Sequence, residues 1–301
     1  MKKIVIAGGT GFIGKHLSKH LAMNGYEVVI LTRNPQKVNE IESITYAKLD
    51  INNIETTAKV INDAFAVINL SGAGIGDKRW TPEYKKIIHD SRVSVTSHLI
   101  KVLNLVEKKP KSFISASAIG IYGDRGDEML NEKSGLSNDF LANVCHDWEM
   151  EADNCPQDIR LVKTRMGIIL SMDGGALPKM ITPFKFFIGG PIGSGSQWMS
   201  WIHIDDICNM FLMVIENEEA RGVVNFVAPN PVQMNEFAET LGKSLGRPSL
   251  LRLPAFILKI VMGESSELVL ASQRVLPTAA GHLGYKFKFE TLPDALKNIL
   301  S

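Results

Sequence analysis

Short apolar runs alternate with amphipathic segments through the first half of the chain, and this alternation predicts its elements. Residues 3–7 (KIVIA) are a continuous apolar run, the mark of a strand covered on both faces. Residues 14–24 place Leu17, Leu21 and Ala22 on one helical face. Strands are predicted at 27–31, at 45–49 with Asp50 at its end, and at 66–70, with a short helix at 56–61. A long helix follows Thr81-Pro82 and runs towards Val106, with Val95, Leu99, Val102 and Leu103 as its core stripe. A fifth strand (112–116), a helix (139–154) and a sixth strand (159–164) complete this half. Alternation at this spacing predicts an α/β fold whose parallel sheet is wound on both faces.

Beyond Arg165 the texture changes. Gly174-Gly175, Gly189-Gly190-Pro191 and Gly193-Ser-Gly195 are turn signals around an apolar stretch containing Phe184, Phe186 and Phe187. A helix at 205–217, a strand at 223–227 and a helix at 233–245 precede a small α-rich tail with short strands. The expected organisation is a nucleotide-binding domain over 1–165 that also receives about 205–228. A smaller α+β substrate lobe then comprises 166–204 and 229–301.

With 301 residues, 45% of them hydrophobic and 22% charged, the chain can bury a sizeable core. A formal charge of +1 supplies no electrostatic reason to expect nucleic acid or an anionic membrane as partner. Cys145, Cys155 and Cys208 are an odd, scattered set without CxxC spacing, which argues against a disulfide framework and a structural zinc site. The apolar run of MKKIVIA breaks at Gly8-Gly9, too early for an export signal, and no stretch reaches ~18 uninterrupted apolar residues. The expectation is a cytoplasmic protein, monomer or homodimer, acting on a small molecule.

The segment IVIAGGTGFIGKHL carries the clearest chemistry. Gly8, Gly11 and Gly14 follow a strand and open a helix, a spacing that turns the backbone tightly and aims a helix N-terminus at a diphosphate. The plain alternative is a glycine turn. Thr10, Phe12 and Ile13 complete the predicted loop. At the end of the second strand an NAD site usually places Asp or Glu on the ribose 2′-hydroxyl. Here Leu31-Thr32-Arg33-Asn34 offers no carboxylate. Arg33 can fork onto a 2′-phosphate with Thr32 as a second donor, so NADP(H) is expected over NAD(H); the alternative is a solvated arginine. Asp50 and Ile51 are placed to meet the adenine. Leu70, Ser71 and Gly72 flank the cofactor, and Ser115 ends the fifth strand beside it.

The loop GGTGFIG and the segments INLSGAG, SASAIGIYG and WIHIDD resemble, in order, the extended short-chain dehydrogenase/reductase superfamily. SGAGIGDKRWT, SRVSVTSHL, GGPIGSGSQWMSWIHIDD and ASQRVLPTAAGHLGYKFKFETL look more narrowly like its atypical "epimerase family protein" group, with a C-terminal domain of unknown function. The resemblance runs nearly end to end. It implies a Rossmann-type doubly wound sheet and bound NADP(H), and it names no substrate.

In that superfamily a Ser or Thr polarises the substrate oxygen, and a Tyr with a Lys in Tyr-x-x-x-Lys serves as acid/base. Four residues after Tyr26, Tyr46, Tyr84, Tyr122 and Tyr285 come Ile30, Asp50, Ile88, Gly126 and Phe289, so the dyad is absent from the chain. Its usual segment reads as a helix with Phe140, Leu141, Val144, Cys145, Trp148 and Ala152 on a buried face and His146, Asp147 and Glu149 solvated. Cys145 is then a packed thiol with a raised pKa, or else an acid/base or nucleophile.

Ser117, Tyr122 and His203 are the catalytic candidates. Ser117 is either a substrate-facing hydroxyl or a strand-end serine bonded to backbone. Tyr122 without a lysine keeps a pKa near ~10 and is a donor before it is a base. Asp205 or Asp206 is expected to cap the following helix. The loop 190–195 can cradle a phosphorylated substrate, close as a lid, or simply turn. Arg92 and Arg165 anchor anions or pair with carboxylates. The leading reading is an NADP(H)-binding oxidoreductase or epimerase-like enzyme; its rival is a non-catalytic NADP(H)-binding redox sensor or scaffold.

Overall fold

The computed structural model describes residues 1–35 and 43–301. The chain opens with β1 (Lys3–Ala7), α1 (Phe12–Met23), β2 (Glu27–Thr32), β3 (Ile44–Lys48), α2 (Ile54–Ile61), β4 (Ala66–Asn69), α3 (Pro82–Leu105) and β5 (Ser112–Ala118). A single 3₁₀ turn (Ile119–Tyr122) leads to β6 (Met129–Leu130), α4 (Phe140–Ala152), β7 (Arg160–Met166), β8 (Ile168–Leu170), α5 (Leu177–Lys185), β9 (Trp198–Met199) and β10 (Trp201–His203). Then come α6 (Ile204–Glu216), β11 (Gly222–Phe226), β12 (Val232–Gln233) and α7 (Met234–Leu245). The tail holds α8 (Ala255–Met262), α9 (Glu267–Leu270), β13 (Arg274–Val275), α10 (Thr278–His282) and α11 (Leu292–Leu300).

Among the described residues, seven strands form one sheet in the order β11-β7-β5-β4-β1-β2-β3, every neighbouring pair parallel. The continuous apolar runs follow from this, because both faces of a parallel sheet are covered. Leu17 and Leu21 of α1 join Ile207, Met210 and Phe211 of α6 against Ile4, Ile6 and Ile68 on one face. Leu99, Val102 and Leu103 of α3 join Val5, Val67 and Phe113 on the other. The strand order reverses between β1 and β4, and the carboxyl ends of the strands beside that reversal are where ligands settle in such sheets.

Local signals start and stop the helices. Thr81 caps α3, accepting from the Tyr84 N–H at 3.2 Å, with Pro82 at the first helical position, where its missing N–H costs nothing. Asp139 caps α4 in the same way, from the Ala142 N–H at 3.0 Å. The helix α5 lies inside the stretch expected only to be apolar and turn-bounded. Its nine residues sit between two glycine pairs and contain Pro183, an interior proline that speaks against a helix. Leu177, Ile181 and Phe184 nevertheless bury against Phe237 and Leu241 of α7, and that packing decides the conformation.

The expectation that an aspartate caps α6 is corrected. The cap is His203, whose Nδ1 accepts the Asp205 N–H at 3.0 Å. Asp206 is fully buried and turns towards the tail, accepting the Tyr285 hydroxyl at 2.8 Å and the Lys288 and Phe289 N–H groups at 2.8 and 3.0 Å. Asp205 pairs with Lys288 at 2.8 Å. One carboxylate thus ties the segment before α11 to the nucleotide-binding sheet. Replacing Asp206 by alanine strands those buried donors, and a loss of about 2–4 kcal/mol is expected in urea unfolding.

Candidate functional site

The turn between β1 and α1 leaves no space for side chains at two of its glycines. Gly8 has φ +82°, and a Cβ there would lie 2.7 Å from the Leu70 carbonyl. A Cβ on Gly14 would lie 2.5 Å from the Gly8 oxygen. Only glycine lets β1, the end of β4 and the start of α1 converge this closely. The turn is closed by the Gly11 N–H donating to the Gly8 oxygen at 3.0 Å, and the Leu70 N–H donates to the Ala7 oxygen at 2.8 Å. Helix α1 then begins with no side-chain cap and no acidic residue in its first turn, and Thr10 and Gly11 are exposed. Open first-turn N–H groups beneath an exposed glycine turn fit the diphosphate of a dinucleotide.

The other predicted cofactor residues gather along the same edge. Thr32 ends β2, and Arg33, exposed, follows it. Asp50 follows β3; the Lys48 hydrogen bond and then the Asn52 N–H hold its carboxyl below the usual carboxylate range. Ile51 beside it is half exposed. Ser71, following β4, is oriented by its N–H donating to Asn69 Oδ1 at 3.1 Å. Gly72 lies against the Arg92 guanidinium, about where a Cβ would come within 3.0 Å. Phe12 and Ile13 turn inward: the Phe12 ring abuts Gly174 of the C-terminal half, and Ile13 packs on the sheet. Ser115 is 1% exposed, so it underlies this edge without opening onto it.

The catalytic candidates are arranged differently from expectation. Ser117 is buried and donates to Glu149 Oε1 at 2.7 Å. Glu149, expected to be solvated, is buried on α4 and takes a two-pronged pair from Arg165, Nε at 2.7 Å and Nη2 at 2.8 Å. Arg165 Nη1 donates to the Tyr122 hydroxyl at 3.0 Å, and that hydroxyl donates to Asn225 Oδ1 at 2.8 Å. Five side chains from β5, α4, β7, the 3₁₀ turn and β11 thus form one buried chain of hydrogen bonds. Ser117 and Tyr122 are both engaged inside it. Burial pushes the Tyr122 phenol above its ordinary value although Arg165 opposes the shift, so it is a weaker acid than a solvated tyrosine.

His203 does not open onto the cleft. It is 2% exposed, its ring lies against Phe289 with centroids 4.0 Å apart, and its Nδ1 is the α6 cap. Burial holds its pKa below the usual histidine value. Cys145 is the packed thiol of the plain alternative, pushed up to about 12 by burial against the pull of Arg92. His146 is exposed, as expected.

Arg165 pairs with a carboxylate. Arg92 instead donates to the Ile88 and Ala73 carbonyls at 2.8 and 3.1 Å and lies over the Trp148 ring. The loop 190–195 is tied to its surroundings: the Gly193 N–H donates to the Leu253 carbonyl, and the Gly195 N–H to Gln197 Oε1. Those amides cannot also cradle a phosphate. Glu149 and Asn225 were missed. The signal for Glu149 was its place four residues after Cys145 on the buried stripe; Asn225 interrupts the apolar run 223–227.

Glu149 supplies a test of this network. Burial alone would raise its carboxyl, but the Arg165 hydrogen bonds and charge, then Ser117 and Lys163, outweigh burial and hold it below the ordinary range. A carboxyl depressed in the folded state stabilises the fold above its unfolded pKa of ~4.3, and that contribution is lost as pH falls through the folded value. Glu149→Ala, which leaves Arg165 buried and unpaired, is expected to cost about 3–5 kcal/mol at neutral pH. Urea midpoints measured against pH should show a shallower acid limb in Glu149→Gln than in the parent.

Residues 4–146 match the model of the NAD dependent epimerase/dehydratase family, and residues 253–299 match a domain of unknown function, DUF1731. The chain is 39% identical over 300 residues to the chloroplastic epimerase family protein SDR39U1 homolog of Arabidopsis thaliana, covering 99% of this chain and 86% of the relative. It is 37% identical to epimerase family protein YfhF of Bacillus subtilis over 99% of this chain and 98% of the other. A crystal structure of human epimerase family protein SDR39U1 with NADPH superposes with a TM-score of 0.90 at 31% identity, covering 99% of both chains. A UDP-glucuronic acid 4-epimerase from Bacillus cereus, at 18% identity and a TM-score of 0.79, shares the fold. The glycine loop, the seven-stranded sheet and these relatives together make the chain a member of the epimerase family proteins, atypical short-chain dehydrogenase/reductases of the NAD-dependent epimerase/dehydratase family.

Proposed function

We propose that the chain is an NADP(H)-dependent oxidoreductase or epimerase-like enzyme acting on a small molecule. The observation that carries this reading is the β1–α1 turn, with its close-packed glycines and uncapped helix N-terminus, beside a β2 end that presents Arg33 and no carboxylate. In this reading the α1 amides hold the diphosphate, while Thr32 and Arg33 bind the 2′-phosphate. Asp50 and Ile51 border the adenine, and Leu70, Ser71 and Gly72 steer the nicotinamide end along β4. When bound, the cofactor supplies or accepts a hydride at its nicotinamide ring.

The protein's share of the chemistry is then binding and orientation. Ser117 and Tyr122 are held as buried posts in the Glu149–Arg165 network. With the Ser117 and Tyr122 hydroxyls already donated within the network, a proton needed at a substrate carbonyl would have to come from a group other than these two. The engagement of both hydroxyls also favours a second reading, a non-catalytic NADP(H)-binding sensor or scaffold.

Fluorescence titration should show NADPH binding at least ~10-fold more tightly than NADH, the worth of a charge-assisted pair, and Arg33→Ala should remove most of that difference. Equal affinity in the parent protein would sink the Arg33 assignment. Against a panel of carbonyl compounds and sugar nucleotides, turnover by Tyr122→Phe should stay within ~10-fold of the parent, whereas loss of a true general acid costs ~10²–10⁴-fold. NADPH oxidation by no member of the panel favours the sensor reading.

A further inference from the structure

One surface of the C-terminal half is built unlike the rest of the molecule. Helix α8 is apolar on every side except Lys259, yet among its residues only Leu258 is buried. Phe256, Ile260 and Val261 are 63%, 70% and 64% exposed. A helix that is hydrophobic all round normally lies in a core or in a membrane environment. The exposed face is fixed in place, because Arg79 donates to the carbonyls of Ile260 and Val261 at the end of the helix.

The surface continues beyond the helix. The Leu251 and Leu253 N–H groups donate to the Gly189 and Pro191 carbonyls, which sets the stretch before α8 beside the glycine turn that follows the exposed Phe186 and Phe187. Phe186, Phe187, Ile188, Leu250 and Leu251 are each more than half exposed, so the apolar exposure does not end with the helix, and clustered exposure of this kind marks an interaction surface.

The charge around this surface is predominantly basic, the acidic residues nearest α8 being Glu264, which pairs with Lys85, and Glu267, which lies near Lys259. Residues 174–204 and 247–262, the two segments that build it, contain no Asp or Glu. They carry Lys179, Lys185, Arg247, Arg252 and Lys259, all exposed, with Arg247 lying over the Phe187 ring at 4.5 Å. A net charge of +1 for the whole chain conceals this local excess. A second copy in a two-fold arrangement would set this basic rim against itself. An apolar helix with a basic rim matches instead the interface of an anionic bilayer, where acyl chains take the apolar face and headgroups take the cations. No described helix is long and apolar enough to cross a membrane, so the contact lies on the surface.

We propose that α8 and the adjoining 186–188 and 250–253 segments form a membrane-surface docking site selective for anionic phospholipid. This departs from the expectation drawn from net charge, and it is independent of the cofactor reading.

The test is flotation of the full chain with vesicles of phosphatidylcholine alone and of phosphatidylcholine mixed with phosphatidylglycerol, with sedimentation equilibrium in parallel. The protein should float with the anionic vesicles alone and be released by salt. Phe256→Ser/Ile260→Ser should abolish flotation while leaving circular dichroism and the unfolding midpoint unchanged. Lys259→Gln, a surface change, should lower the partition about five-fold and carries the test if the double variant misfolds. Failure to float with anionic vesicles overturns the proposal, as does flotation that neither variant weakens. A dimer that the double variant makes monomeric, without vesicle binding, assigns the surface to a second copy instead and equally overturns it.

Discussion

The structure turns on a buried ion pair. Glu149 and Arg165 face each other 5–7% exposed, two charges that would each be costly in the interior alone and are tolerable only together. Their geometry organises what surrounds them. Ser117 spends its proton on the carboxylate, Tyr122 receives the guanidinium, and Asn225 receives the Tyr122 hydroxyl. The pair bolts α4 to β5 and β7 beneath the edge where a nicotinamide enzyme of this fold would hold its reacting groups. In this chain the hydroxyls of Ser117 and Tyr122 in that region are buried and engaged in the network.

Cofactor recognition and proton handling are therefore separable in this fold. The diphosphate site of the first is built from backbone: a turn too tight for side chains at Gly8 and Gly14, and helix N–H groups left open. The second needs side chains whose pKa values are tuned, and here burial moves them away from neutrality. The Cys145 thiol rises to about 12, the Tyr122 phenol rises, and His203 is kept neutral as a helix cap.

The parts of the fold set by local periodicity were legible in the sequence. The apolar runs at 3–7 and 66–70 marked central strands, and the stripe of Leu99, Val102 and Leu103 marked a packed helix. The glycine loop was legible because its spacing is a backbone requirement. Glu149 was not, because a carboxylate on a helix is ordinarily solvated, and the partner that pays for its burial lies on another element 16 residues on. His203 and Asp206 were misjudged for a similar reason. Two acidic residues in a first turn look like caps, but Asp206 is drawn away by N–H groups 82 and 83 residues distant. Helix α5 was hidden by its interior proline and is held by α7. Each of these errors concerns a contact made by tertiary structure alone.

The decisive group is the Tyr122 phenol, buried and hydrogen-bonded to Arg165 and Asn225. Labelling the tyrosine Cζ with ¹³C and following Tyr122 by NMR across pH, with NADP⁺ bound and Tyr122→Phe as the assignment control, measures its protonation directly. The phenol should stay protonated through the ordinary tyrosine range near ~10. A Tyr122 that ionises near neutrality would contradict the account and restore the residue as the enzyme's acid/base.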